Sequence, residues 1–447
     1  MIAQQIMNDK TKYSNRDYKN LGDRIRYDSK NISEEDYEML QQLRLSYKQP
    51  LSVIFNSIEA LSHQVDTNCV CTYRIKRIES IISKLIRFPE MQVNRAEDIA
   101  GCRCILSSDA GVYNLYNRIL KDIDKLPFEV KGVVHDYIAK PKESGYKSIH
   151  LNVTLRGDNK RIEIQLRSLE QHNWATLVET TDLLYDLKLK ENGSSSNTEL
   201  FTLHYLLSKA HNQLTIKDIN YIADTVVKYN YIQTLGGVFV QNNLNVRRHW
   251  NTIKVQSKHF FLIATGKDGI PDIQGFATFD EAEEHYYNKF INNKSNKNIV
   301  LTHIRSTNFA KITAAYSNYF LTYNNTIVRL LVYLSKAVET SYDKGKLQYF
   351  VKYYQAFLDI MLFWMENQID EIKTFNKEFD AKKQKKKYYD WGATIEYGIN
   401  VFNKLFEQTH TKLQFKISTL LLYLISRYKY SQFKNKADKL TSQFSKH

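Results

Sequence analysis

The sequence predicts an α+β fold: a mixed sheet flanked by helices, then a small α/β module and a helical C-terminal region. Three observations carry this prediction. Stretches between residues 100 and 167 alternate apolar and polar side chains with the two-residue period of a strand. The segments around them repeat apolar side chains at helical spacing. Beyond residue 326 the helical spacing continues without a clear strand pattern.

Composition places the chain among globular proteins with several domains. It has 447 residues, of which 43% are hydrophobic and 13% aromatic, and this excludes fibrous and wholly disordered classes. The net charge of +15 favours anionic partners such as nucleotides, RNA or an acidic protein surface. With only four cysteines, no apolar N-terminal signal and no apolar run of membrane length, we expect a cytoplasmic protein without a membrane partner.

Changes of pattern divide the chain into four predicted parts. They are an N-terminal helical extension (1–65), an α/β domain (66–190), a helical connector with a small α/β module (197–325), and a basic helical C-terminal region (326–447). The NGSSS stretch, Asn192–Ser196, is the clearest linker. The last part has 21 Lys and Arg against 12 Asp and Glu, hence +9, and includes the basic run Lys382–Lys387.

The helices are predicted from apolar spacing and caps. Residues 1–30 are polar and expected to be frayed, whereas Ser33 precedes three acidic residues and predicts a helix start. Further helices are predicted at Ser33–Leu61, Tyr73–Arg87, Val112–Ile123, Leu169–Tyr185, 197–245 and Asp280–Ile291.

The strands are predicted from alternation. They are Ala100–Leu106, Val133–Ala139, Ser148–Leu155, Arg161–Arg167, Phe260–Thr265 and Ile299–His303. In the third of these strands His150 and Asn152 lie on the polar side, and in the fourth Glu163, Gln165 and Arg167 lie on the polar side. Two adjacent strands therefore present a polar face, which on pattern alone also fits a half-solvated antiparallel sheet.

The residues around that face suit a nucleotide. Lysines surround a Gly145–Tyr146 turn, where an exposed ring offers a stacking surface for a base. Further cations, Arg74, Lys76, Arg77 and Lys84, lie at a predicted helix start, where phosphate binding is favoured. Asp98 and Glu163 on neighbouring strands supply two carboxylates for a hard cation such as Mg²⁺.

Four blocks occur in order along residues 70–185: YRIKRIESIISKL, EDIAGCRCIL, DYIAKPKESGYKSIH and EIQLRSLEQHNWATLVE. Together they resemble the synthetase domain of the RelA/SpoT alarmone enzymes. The resemblance implies a nucleotidyltransferase-like fold and a pyrophosphokinase that moves pyrophosphate from ATP to the 3′-hydroxyl of GDP or GTP, with Mg²⁺. It also implies guanosine tetra- or pentaphosphate signalling in stress or phage defence. The His135–Asp136 pair lies inside a predicted strand, so we do not expect the HD hydrolase domain of bifunctional relatives.

The resemblance also implies residue roles. It assigns catalysis and Mg²⁺ binding to Asp98 and Glu163, and Glu163 helps to deprotonate the attacking hydroxyl. It assigns ATP binding to Arg74, Lys76 and Lys84. It assigns acceptor binding to Tyr146, which stacks on guanine, and to Lys142, Lys147, His150 and Gln165.

Two alternatives stay open at this point. A toxin-like relative would transfer the pyrophosphate to the 3′ end of tRNA with the same residues, and the basic C-terminal region favours RNA. A partner-sensing protein would use its C-terminal region to bind another protein and regulate the synthetase. Small synthetases often assemble, so a homo-oligomer is also an expectation. The cysteine pairs Cys69/Cys71 and Cys102/Cys104 are interpreted as core residues rather than a zinc site.

Overall fold

The computed structural model forms two compact units, one from Met1–Ala175 and Asn245–Ser317, the other from Thr176–Leu244 and Asn318–His447. The residues that the structure describes are 13–189, 193–236, 258–265, 271–292, 299–303, 323–378, 396–404, 406–407, 410 and 420–444. The basic run Lys382–Lys387, Asn192 of the predicted linker and residues 237–245 lie outside them. The predicted four-part division stays a prediction.

Three helices begin the first unit: α1 (Asn15–Tyr27), α2 (Glu34–Leu45) and α3 (Lys48–Val65). The expectation that residues 1–30 are frayed is wrong for α1. Ser14 and Asp17 form a capping box, and Leu21 and Ile25 are buried. The predicted helix start at Ser33 is confirmed, since its side chain accepts a hydrogen bond from the Asp36 amide.

The sheet has nine strands among the described residues. They are β1 (Val70–Ile75), β2 (Ala100–Leu106), β3 (Phe128–Val130), β4 (His135–Asp136), β5 (Ile149–Leu155), β6 (Arg161–Ser168), β7 (Phe260–Thr265), β8 (Pro271–Phe276) and β9 (Ile299–His303). Their order is β3-β5-β6-β2-β1-β9-β7-β8, with β4 also paired to β5. The pair β2–β6 is parallel and the other pairs are antiparallel, so the predicted mixed sheet is confirmed.

Helices α4 (Ile78–Arg87), α5 (Asp109–Lys121) and α6 (Leu169–Leu184) connect or follow these strands. The predicted helix start at Tyr73 is wrong because Tyr73 belongs to β1, which pairs with β2 over its whole length. The predicted strand Val133–Ala139 is shorter because the Asp136 carboxylate accepts hydrogen bonds from the amides of Ile138 and Ala139 and turns the chain.

The small α/β module contributes β7, β8, β9 and helix α9 (Phe279–Asn292). Strand β8 was not predicted. The module strands extend the same sheet, because β9 pairs with β1 through Tyr73 and His303 and with β7 along five residues. The Thr302 hydroxyl also donates to the Tyr73 carbonyl at 3.1 Å. The core of this sheet includes the buried thiols of Cys71, Cys102 and Cys104, as the interpretation of these cysteines as core residues predicted.

The second unit is helical over its described residues. It contains α7 (Thr198–Leu207), α8 (Ile216–Lys228), α10 (Tyr323–Asp343), α11 (Leu347–Glu378) and α12 (Leu420–Phe444). Its core includes the fully buried Trp364, Tyr353 and Phe402. The predicted helical C-terminal region is therefore confirmed. In the described part of the chain, each helix is either too short or too polar to cross a membrane.

Candidate active site

Two rows of paired residues cross the polar face of the sheet. Because residues paired across strands share a face, each row brings residues from four strands together. The first row is Arg74 on β1, Gly101 on β2, Glu163 on β6 and Asn152 on β5. The second row is Thr72, Arg103, Gln165 and His150 on the same strands. The predicted polar face of β5 and β6 therefore extends across β2 to β1.

Glu163 lies near the centre of this face and is held by two neighbours. The Nδ1 atom of His150 lies 2.7 Å from its Oε1, and the Gln165 amide donates to its Oε2 at 2.6 Å. Burial alone would raise the pKa of Glu163, but His150 and Gln165 lower it to about 2. Glu163 is therefore ionised throughout the physiological range.

A hydrogen-bonded chain continues from Glu163 to Tyr146. His150 Nε2 lies 2.8 Å from the Tyr146 hydroxyl, which also accepts from Arg167 at 3.0 Å. Burial opposes ionisation of the phenol, yet Arg167 and His150 lower the pKa of Tyr146 to about 8. Burial lowers and Glu163 raises the pKa of His150, with a net upward shift. The structure therefore joins five polar residues in one network: Glu163, Gln165, His150, Tyr146 and Arg167.

Asp98 forms a second cluster with two predicted ATP-binding residues. Lys76 and Lys84 donate to its two carboxylate oxygens at 2.5 and 2.7 Å. Burial opposes ionisation of Asp98, but Lys76 and Lys84 outweigh it, and the pKa of Asp98 is lowered. The pKa of Lys76 is lowered, chiefly because the ammonium group is buried. This cluster presents two ammonium groups close to one carboxylate.

The prediction that Arg74, Lys76, Arg77 and Lys84 all lie at one helix start is wrong. Arg74 lies on β1, Lys76 follows that strand, and Lys84 lies on α4. Arg77 is the N-cap residue of α4 and has extended backbone geometry. Lys76 and Lys84 meet at Asp98 because the chain turns from strand to helix between Ile75 and Ile78.

The predicted acceptor loop lies between β4 and β5. Gly145 has a φ of +90° and its amide donates to the Lys142 carbonyl, so the loop makes the tight turn that glycine permits. The Lys142 ammonium lies 5.4 Å from the centre of the Tyr146 ring and 4.5 Å from that of Tyr137. Lys147 follows Tyr146 in this loop and is half-buried.

Sequence reasoning missed Tyr137 as part of this site. Its ring meets the edges of His150 and Tyr146 at 5.3 and 6.1 Å and stacks on His135 at 5.5 Å. The alternation that placed Tyr137 inside a strand hid this role. Its position directly before the lysine-rich block was the available signal.

The carboxylates of Asp98 and Glu163 are suitable ligands for a hard divalent cation. Both have lowered pKa values and offer carboxylate oxygens, which Mg²⁺ prefers. A side chain at Gly101 would place its Cβ 3.0 Å from the Glu163 carbonyl oxygen, so glycine leaves room beside Glu163. Among the described residues no group of three or more His, Cys, Asp and Glu side chains forms a metal cage. Mg²⁺ bound through one or two carboxylates usually takes its other ligands from water and from the phosphates of a substrate.

The stability that the Glu163–His150 pair contributes is expected to depend on pH in both directions. The pKa of Glu163 is below its usual 4.5, so its contribution is full above pH 4.5 and is lost as the pH falls towards 2. The pKa of His150 is above its usual 6.5, so its contribution is full below pH 6.5 and is lost as the pH rises through the folded-state value.

The free energy of unfolding should therefore differ most between the wild type and Glu163→Gln at pH 4.5–6.5. We expect a difference of about 2 kcal/mol there, the typical strength of a charged hydrogen bond, from urea denaturation. Glu129→Gln, at an exposed carboxylate paired with Lys131, is the matched control. A Glu163→Gln difference that stayed constant across the pH series would contradict the coupling.

Comparisons with known proteins identify the same region. A profile described as "Region found in RelA / SpoT proteins" matches residues 73–189. The GTP pyrophosphokinase YwaC of Bacillus subtilis is 37% identical over 116 residues, covering 23% of this chain and 53% of the relative. The GTP pyrophosphokinase YjbM of the same organism is 32% identical over 130 residues, covering 27% of this chain and 59% of the relative. The chain thus spans little more than half of the length of these relatives.

Among solved structures, small alarmone synthetase 2 from Bacillus subtilis is similar at 26% identity and a TM-score of 0.30. The match covers 37% of this chain and 88% of that protein. The region matched by the profile contains both clusters described above, from Lys76 and Asp98 to Tyr146 and Glu163.

Proposed function

We propose that this chain, whose residues 73–189 match the profile of a region found in RelA / SpoT proteins, transfers pyrophosphate from ATP to the 3′-hydroxyl of GDP or GTP. The observation that carries the proposal is the presence of two charged clusters, one on the polar sheet face and one where the chain leaves β1 and enters β2. One cluster holds Asp98 between two lysines, and the other holds an ionised Glu163 beside Tyr146. Two named relatives are GTP pyrophosphokinases, which supports the same reaction class.

The proposed reaction forms one bond and breaks one. The acceptor 3′-oxygen attacks the β-phosphorus of ATP, the bond from that phosphorus to the α-phosphate oxygen breaks, and AMP leaves. Glu163 accepts the hydroxyl proton. A carboxylate with a pKa of about 2 is a weak base, which suits a loose transition state in which the nucleophile needs little activation. Orientation of the hydroxyl is then the main contribution of Glu163.

The cations contribute by neutralising charge. Arg74, Lys76 and Lys84 bind ATP phosphates, whose negative charge shifts towards the leaving oxygen as the bond breaks. Asp98 holds the two lysines in place. When bound by Asp98 and Glu163, Mg²⁺ supplies further charge neutralisation on the phosphates.

The acceptor is proposed to lie against the Tyr146 loop. The ring offers a stacking surface for guanine, and Lys142 beside it suits the acceptor's phosphates. His150 and Gln165 are proposed to act on the acceptor side as well. Both contact Glu163 and fix the orientation of its carboxylate. Lys147 adds a further cation in the same loop.

Transfer to the 3′ end of tRNA is the second candidate. The charge of the C-terminal region, +9 from 21 basic and 12 acidic residues, favours a polyanionic acceptor. The reaction would be the same, with the 3′-hydroxyl of the tRNA attacking the β-phosphorus of ATP.

The direct test offers GDP, GTP and deacylated tRNA separately with γ-labelled ATP and Mg²⁺, using Glu163→Gln as the blank. Label in the guanosine product is the expected result. Label on tRNA alone would replace the proposal by the second candidate. An absence of label from all three acceptors would contradict both.

Replacing Tyr146 by Ala is expected to raise the acceptor KM about 5- to 150-fold, because base stacking contributes roughly 1–3 kcal/mol. The KM for ATP should stay close to that of the wild type. Tyr146→Phe is the matched control: it keeps the ring but loses the hydroxyl contacts to His150 and Arg167. Steady-state kinetics with each substrate varied in turn measure the effect. An unchanged acceptor KM in Tyr146→Ala would remove the stacking role.

A further inference from the structure

A buried charge cluster connects the N-terminal helix α2 with helix α9 of the module. Arg44 donates to both carboxylate oxygens of Glu283, at 2.8 and 3.1 Å, and each side chain is only 1% exposed. The Gln41 amide also donates to Glu283 at 3.1 Å. Local sequence gives no sign of this pair, because Arg44 and Glu283 lie 239 residues apart.

The cluster also contacts the backbone that carries the ATP-side lysine. Arg44 Nε donates to the Lys76 carbonyl at 2.9 Å. The Ile78 amide donates to the Tyr286 hydroxyl at 3.0 Å, and the Arg44 guanidinium lies 4.2 Å from the centre of the Tyr286 ring. The two backbone contacts flank Arg77, and the Lys76 side chain itself reaches Asp98 at 2.5 Å.

These contacts satisfy groups that a strand-to-helix turn leaves without partners. The first amides of a helix have no intrahelical acceptor, and α4 has no side-chain hydrogen bond at its N-cap. Tyr286 supplies an acceptor for the Ile78 amide, and Arg44 supplies a donor for the Lys76 carbonyl. The backbone conformation on both sides of Arg77 is thereby fixed.

Stability is a weak reason for such an ion pair. Removing two charges from water offsets most of their attraction, so apolar residues of similar volume often stabilise a fold as well or better. The directional contacts to Lys76 and Ile78 are what apolar replacements would lack. Apolar replacements would therefore keep the packing of these residues but lose their contacts to the backbone of Lys76 and Ile78.

We propose that Arg44, Glu283 and Tyr286 are positioning residues that hold Lys76 and Arg77 in place for the phosphates of ATP. The module helix α9 thus completes the ATP side of the site, although none of its residues needs to touch the nucleotide. This inference rests on the proposed use of ATP.

The first test is Tyr286→Phe, which removes one hydroxyl and keeps the ring beside Arg44. We expect the KM for ATP to rise about fivefold, as the loss of one hydrogen bond predicts, with the acceptor KM unchanged. Asp280→Asn is the matched control, because Asp280 also connects α9 to the N-terminal helices, through Lys48, but pairs on the surface. Its KM for ATP should equal that of the wild type.

The second test is the double variant Arg44→Met with Glu283→Leu. We expect its melting temperature to match or exceed the wild type, while its affinity for a non-hydrolysable ATP analogue falls about fivefold or more by calorimetry. A double variant that folds well and binds the analogue as tightly as the wild type would overturn the positioning role. If the double variant does not fold, the affinity of Tyr286→Phe for the same ATP analogue decides whether the positioning role holds.

Analogue binding keeps this inference distinct from the proposed transfer reaction. A wild-type protein that binds the analogue but labels no acceptor would refute the transfer and leave the positioning role to be decided by the variants' affinities. A wild-type protein that binds no ATP analogue would overturn the positioning role as well.

Discussion

Replacing Glu163 by Gln is expected to lower the rate of pyrophosphate transfer by about 10²–10⁴-fold, the range for removal of a proton-accepting or charge-stabilising group. The amide has the same size but carries no charge. It also places a donor against either the His150 ring or the Gln165 amide, both of which face the carboxylate oxygens. The nucleophile then loses both its orientation and the acceptor for its proton.

The kinetic effect should appear in kcat and not only in a KM. Initial rates at saturating ATP and acceptor measure it, and circular dichroism confirms that the variant is folded. Glu129→Gln on β3 is the control, since it neutralises a carboxylate of the same sheet whose partner is the exposed Lys131. A Glu163→Gln enzyme with the wild-type kcat would exclude Glu163 from the mechanism.

The Asp98→Asn variant is expected to lose about 10²–10³-fold in activity. The carboxylate accepts from Lys76 and Lys84 at once, so its loss removes the group that holds both ammonium ions. Loss of a proposed cation ligand should also raise the Mg²⁺ concentration that gives half-maximal activity.

A matched control is Asp122→Asn at the end of α5, because Asp122 also pairs with two cations, Arg118 and Lys125, but outside the site. A magnesium titration of initial rates compares the three proteins. An Asp98→Asn protein with the same activity and the same Mg²⁺ dependence as the wild type would refute both roles of Asp98.

Alternation predicted the centre of the sheet well. Strand β2 was predicted with its observed limits, and β5 and β6 differ from their predictions by one residue. Strand β1 was missed because five of its six residues are buried, so it shows no alternation. Its apolar residues and Ile78 then extended the helical spacing of α4 backwards to Tyr73.

The candidate site could be predicted as a set of residues but not as a geometry. The polar face with Glu163 and Gln165 followed from alternation, and the two clusters involve residues named from the sequence. The path from Glu163 through His150 to Tyr146 depends on the turn at Gly145, which local sequence does not orient. Arg44 and Glu283 read as ordinary surface residues, because only the folded chain brings them together.

The sheet extension has a consequence for biosynthesis. Strand β1 pairs with β9, and Arg44 contacts Glu283, which lies 239 positions later in the chain. At a synthesis rate of roughly 5–20 residues per second, the nascent chain waits on the order of 10–50 seconds before these contacts can form. The backbone around Lys76 and Ile78 therefore reaches its final conformation late in translation. A ribosome-bound chain that ends before α9 should pair β2 with β6 but should not yet form the proposed binding site for the phosphates of ATP.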